Sequence, residues 1–103
     1  MEGEGRFEWV DGRKFQGCFS KGVMHGHGVY TWKDGRRYEG EYFQNKKHGQ
    51  GVYTYSDGSK YSGAWENGLQ HGFGRIIEPN SNFQRKGIWQ EGKILEWQGV
   101  EPV

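Results

Sequence analysis

Long apolar runs are missing from this 103-residue chain. No stretch approaches the ~20 consecutive apolar residues that cross a bilayer, and Met1-Glu2-Gly3-Glu4 opens no apolar leader region. The expectation is a soluble chain, cytosol-facing if it is full length. Aliphatic residues are also scarce: the hydrophobic share is 32% and the mean hydropathy -1.05, too little for a helix-walled interior. Cys18 is the single cysteine, which excludes an intrachain disulfide and points to a reducing compartment. Neither charge dominates. Fourteen Lys+Arg against thirteen Asp+Glu leave a formal charge of +1, so no global field is available to hold nucleic acid or an anionic membrane. Any such binding has to be local.

Glycine and aromatic residues fill the gap: 19 Gly, 5 Trp, 6 Tyr and 6 Phe imply flat rings packed over bare backbone, a composition for sheets and tight turns. They are also periodic. Gly5, Gly28, Gly51 and Gly74 recur every 23 residues, and Gly12, Gly35, Gly58 and Gly17, Gly40, Gly63 keep the same step. The aromatics follow in four series: Phe7, Tyr30, Tyr53; Trp9, Trp32, Tyr55; Phe15, Tyr38, Tyr61; and Phe19, Tyr42, Trp65. So do Asp11, Asp34, Asp57 and His25, His48, His71. The units run 3–25, 26–48, 49–71 and 72–95, with 96–103 as a cap or tail. In the last unit an apparent one-residue insertion around Glu78-Pro79-Asn80-Ser81-Asn82 replaces the Asp-Gly turn, and Leu95 stands where histidine is expected. Terminal repeats are commonly atypical in this way.

Asp-Gly between alternating runs signals a hairpin, and parity decides its loop length. A two-residue Asp34-Gly35 loop would put Tyr30 and Trp32 on the face opposite Tyr38. A three-residue Lys33-Asp34-Gly35 loop, with Gly35 left-handed, pairs Tyr30 with Tyr38 and Gly28 with Gly40. Tyr30, Trp32, Tyr38 and Tyr42 then share one face, and Val29, Thr31, Arg37, Glu39 and Glu41 take the other. The Gly28/Gly40 pair leaves a slot for a ring. Stacked hairpins predict an all-β fold, a single elongated antiparallel sheet of tandem β-hairpin repeats, with about eight strands over roughly 38 Å.

The run Gly26-His27-Gly28-Val29-Tyr30-Thr31-Trp32-Lys33-Asp34-Gly35-Arg36-Arg37-Tyr38-Glu39-Gly40-Glu41-Tyr42 resembles a MORN (membrane occupation and recognition nexus) repeat. Gly49-Gln50-Gly51, Tyr53, Asp57-Gly58, Tyr61-Ser62-Gly63 and Trp65 repeat the likeness. The resemblance implies hairpins in one elongated sheet and a scaffold or docking role in cytoskeletal, ciliary or membrane-junction proteins. The fourth unit departs from the pattern at its turn and at Leu95, so the resemblance does not carry the groove to the C-terminal end.

A one-layer sheet leaves its aromatic face uncovered, so Phe7, Trp9, Phe15, Tyr30, Trp32, Tyr38, Tyr42, Tyr53, Tyr55, Tyr61 and Trp65 are both the core and the candidate groove for a partner peptide or helix. An open apolar face also invites a homodimer. The basic turn residues Arg13, Lys14, Arg36, Arg37 and Lys60 are expected along one long edge, where they discourage aggregation or, alternatively, hold a phosphoinositide membrane surface. The histidines fall about 10 Å apart, too far to share a metal, and suit hydrogen bonding in the connecting turns. No cofactor or metal is expected. Cys18 has no assignable base, and neither phosphate-binding glycine signature is present, so the expectation is a non-enzyme. Nucleic acid is not an expected partner. Choline-binding repeats of secreted wall proteins also use short Gly/Trp/Tyr hairpins, but the leader they would need is not evident in Met1–Glu4.

Overall fold

Nine strands follow one another in the computed structural model, which describes residues 2–103: β1 (Gly3–Glu8), β2 (Lys14–Ser20), β3 (Val23–Thr31), β4 (Arg37–Phe43), β5 (Lys46–Thr54), β6 (Lys60–Glu66), β7 (Leu69–Ile77), β8 (Phe83–Gln90) and β9 (Lys93–Pro102). Each pairs antiparallel with its neighbours in the sequence, and the single sheet stays open. The molecule measures 42 × 24 × 19 Å. Residues 96–102, set aside above as cap or tail, lie in β9, which covers the hydrogen-bonding edge of β8. The ninth strand corrects the count of eight.

Two kinds of turn alternate. Within a unit the three-residue loop is present: Tyr30 pairs with Tyr38 and Gly28 with Gly40. Trp32 N donates to Arg36 O at 2.9 Å, and Gly35 sits at φ +99, a conformation open to glycine and strained for other residues. Asp34 Oδ1 accepts from Arg36 N at 3.1 Å and so pre-folds the loop. Between successive hairpins, Lys21-Gly22, Gln44-Asn45, Asn67-Gly68 and Glu91-Gly92 all have positive φ, the pattern of two-residue type I′ turns. The loop closed by the Ile77/Gln84 pair, Glu78–Phe83, is one residue longer than the Tyr55–Ser59 loop closed by Thr54 and Lys60.

Register places the glycines in one trough. Gly5, Gly17, Gly28, Gly40, Gly51, Gly63, Gly74 and Gly87 face one another from β1 through β8. The two glycines of each Gly-x-Gly therefore have different causes. Gly49 takes φ +64 where the register of β4 on β5 shifts. Gly51 has to be bare, because a Cβ there would lie within 2.7 Å of three atoms of the Tyr38 side chain. Phe15 occupies the slot over Gly17 and Gly28, Tyr38 that over Gly40 and Gly51, and Tyr61 that over Gly63 and Gly74. These three rings are the most deeply buried side chains.

Candidate functional site

The aromatic face resolves into two rows. In the inner row, Phe19, Phe15, Tyr42, Tyr38, Trp65, Tyr61, Trp89 and Trp97 meet successively edge to face, with centroids 5.0–5.6 Å apart and interplanar angles of 79–89°. That geometry places the positive edge of one ring on the negative face of the next. Polar tips are satisfied locally: the Tyr38 hydroxyl donates to Glu41 O at 2.9 Å, Tyr61 to Ala64 O at 2.8 Å, and Trp65 Nε1 to Gly51 O at 3.1 Å. Burial pushes the Tyr61 phenol up to about 12 and raises Tyr38 and Tyr42 further.

This row corrects the eleven-residue groove. Phe15, Tyr38, Tyr42, Tyr61 and Trp65 are buried core and present no ring to a partner. The physical reason is the supply of glycine slots, each already filled by a second-strand ring. First-strand rings have no bare backbone beneath them and stand out of the sheet. They form the outer row Phe7, Trp9, Tyr30, Trp32, Tyr53 and Tyr55, tilted against one another at centroid distances of 4.4–5.8 Å. Phe7 is exposed and the other five half-buried. Between Met24, Tyr30, Trp32, Tyr42 and Lys47 the face opens into a cavity of about 270 Å³.

The basic residues do not line one edge. Successive strand residues point to opposite faces, so each pair is split. Arg13 and Arg36 lie on the aromatic side, their guanidinium carbons 4.9 Å from the Trp9 centroid and 5.1 Å from Trp32, where each extends the outer row. Asp11 binds Arg13 at 2.9 Å and Asp34 binds Arg36 at 2.8 Å, and both carboxyls are held below their usual range by hydrogen bonds from those arginines. Arg13 Nη1 also donates to the Tyr30 hydroxyl at 3.2 Å. Lys14, Arg37 and Lys60 share one cross-strand line on the opposite face, alternating with Thr31 and Thr54. Arg37 is paired with Glu39 at 2.8 Å.

The histidines sit beside the connecting turns. His25 and His48 flank the Phe43 ring at 5.3 and 5.5 Å, and His71 Nδ1 accepts from Glu91 N at 3.5 Å. Sequence reasoning missed Phe19, Trp89 and Trp97 as ring-chain members, and it missed Lys47. The 23-residue step carries a signal for Lys47, because residues 24, 47 and 70 are Met, Lys and Gln, and the charge is unlike its counterparts.

Four segments, residues 1–12, 15–36, 38–60 and 61–82, match the model of the MORN repeat. This chain belongs to the MORN repeat family. The second, third and fourth MORN segments begin at Phe15, Tyr38 and Tyr61, the rings that fill the glycine slots. A comparison with curated proteins found no match. MORN repeats are interaction modules for proteins or membranes, and the family is a non-enzymatic repeat module.

Proposed function

We propose that this MORN array is a non-enzymatic docking module whose outer aromatic row holds a peptide or helix of a partner protein. The observation that carries the reading is the continuity of that row: Trp9, Tyr30, Trp32, Tyr53 and Tyr55 are fixed from below by the buried row and half open above. Rigid, pre-ordered rings lose little side-chain entropy on binding, which is why aromatic anchors dominate interfaces. A cytoplasmic scaffold at cytoskeleton, cilium or membrane junction is the setting such a module suits.

Binding to the row buries apolar surface, worth roughly 25 cal/mol per Å² and little screened by salt. Proteins captured from a cytoplasmic extract on the wild-type chain should therefore stay bound at high salt. They should be lost on Trp32→Ala and Tyr53→Ala variants whose melts show an intact fold. Retention by both variants would overturn the reading.

A phosphoinositide surface is the second reading, favoured by the line of Lys14, Arg37 and Lys60 and by a cavity of about 640 Å³ on that face, lined by Arg6, Lys14 and Arg37 among others. Such binding weakens as the Debye length falls from about 10 Å at 0.1 M to 3 Å at 1 M salt. Phosphoinositide vesicles that sediment the chain at low salt, release it at high salt and fail with a Lys14/Arg37/Lys60 charge reversal would favour the lipid.

A further inference from the structure

Residues 24, 47 and 70 occupy equivalent places in three successive units, at the border between the two aromatic rows. Met24 packs against the core, and Gln70 donates to the Tyr55 hydroxyl at 3.1 Å. Both are satisfied within the sheet. Lys47 is not: its ammonium stands 5.5 Å from the Tyr38 centroid, 5.7 Å from Trp65 and 5.8 Å from Tyr53, and no carboxylate pairs with it among the described residues. The rings strip much of its water and lower its pKa. The neighbouring cations of this face differ, since Arg13 has Asp11 and Arg36 has Asp34. The middle of the outer row thus holds a half-desolvated positive charge without a counter-ion, beside a cavity bounded by Tyr30, Trp32 and Tyr42.

We propose that the aromatic face selects a protein segment in which an Asp or Glu lies next to a bulky apolar side chain. The carboxylate meets the Lys47 ammonium, and the apolar side chain enters the cavity between Tyr30, Trp32 and Tyr42. This deepens the docking reading and rests on it. The complementarity is one-sided: a carboxylate supplies the missing counter-ion at a partly desolvated site, where a charge-assisted contact is stronger than at an exposed surface. A lysine or arginine at the same place adds like charge, and a neutral side chain desolvates the ammonium further with no return.

A random-peptide phage library panned on the wild-type chain tests this. The expected winners are enriched in Asp or Glu beside Leu, Phe or Trp, and a synthetic winner should lose about tenfold or more in affinity when that acid becomes its amide. Lys47→Met, which installs the residue native to position 24, should fold by thermal melt, keep apolar selection and lose the preference for acid. Lys47→Arg should retain that preference. Apolar winners without acid on the wild type, or unchanged acid enrichment on Lys47→Met, overturn the inference and leave the docking reading standing. No enrichment on the wild type counts against both. Phosphatidylserine vesicles bound by the wild type and not by Lys47→Met, with no acid preference among peptides, would assign Lys47 to lipid and overturn it too.

Discussion

Phe15 fills the first glycine slot without a hydroxyl, while Tyr38 and Tyr61 fill the next two with one. The ring is therefore the common requirement and the hydroxyl an addition, each donating to the backbone carbonyl of the residue just after the slot glycine of its own strand, Glu41 after Gly40 and Ala64 after Gly63. Tyr38→Phe or Tyr61→Phe should fold and lose about 1 kcal/mol, the typical net value of one hydrogen bond, measured by urea titration. The same residues set an alkaline limit. In the unfolded chain tyrosine ionises near 10, whereas in the fold Tyr61 holds its proton to about 12 and Tyr38 and Tyr42 to higher pH still. Above pH ~10 the unfolded state releases protons that the native state keeps, so stability falls as pH rises, by up to ~1.4 kcal/mol per pH unit for each such phenol. Melting temperature followed from pH 9 to 12 should drop for the wild type and drop less for Tyr61→Phe. A flat profile in the wild type would show that these phenols ionise without leaving the core.

Each hairpin combines a loop that tolerates only some residues with a trough that tolerates only glycine. At Gly35 nothing lies within 4 Å of a Cβ, so Gly35→Ala meets backbone strain alone, a cost of about 1–2 kcal/mol. At Gly51 the added methyl would stand 2.3 Å from the Tyr38 hydroxyl oxygen, and that ring is held by Tyr42 and Trp65 on its flanks. Gly51→Ala has to displace a wholly buried ring and should cost about 3 kcal/mol or more. Denaturant midpoints that fall equally for the two variants would contradict this separation of strain from packing. The Asp34 carboxylate contributes to the loop through Arg36 N and the Arg36 side chain, both at the surface, so its removal should register only as a small loss that salt diminishes.

Across the whole molecule, strands touch chiefly their sequence neighbours, and the ring chain passes from one unit to the next without closing. Stability should then behave as a sum of units and shared interfaces. A second copy of residues 26–48 placed after His48 should give a folded chain with two more strands, a higher melting temperature and a steeper denaturant dependence, read by circular dichroism and urea titration. A lower melting temperature would mean that the units couple beyond their neighbours. The docking face should lengthen with the array, since each unit adds two outer rings.

The 23-residue step, the Asp-Gly turns and the parity of the aromatics determined the all-β class, the three-residue loop and the Tyr30/Tyr38 and Gly28/Gly40 pairings. These are local matters, fixed by turn chemistry and the two-residue alternation of a strand. Which rings are core and which are surface was not legible, because all eleven candidates share one face and one pattern. Only the joining of units decided it: Gly40 meets Gly51 across a boundary between repeats, and the slot so formed admits one ring, Tyr38, leaving Tyr30 and Trp32 outside. The same holds for charge. Arg36 and Arg37 are adjacent in sequence, yet the pleat sends one to Trp32 and the other to the opposite face, and Lys47 finds its three rings on strands β4, β5 and β6. A cation enclosed by side chains from three strands is a property of packing, and no window of sequence contains it.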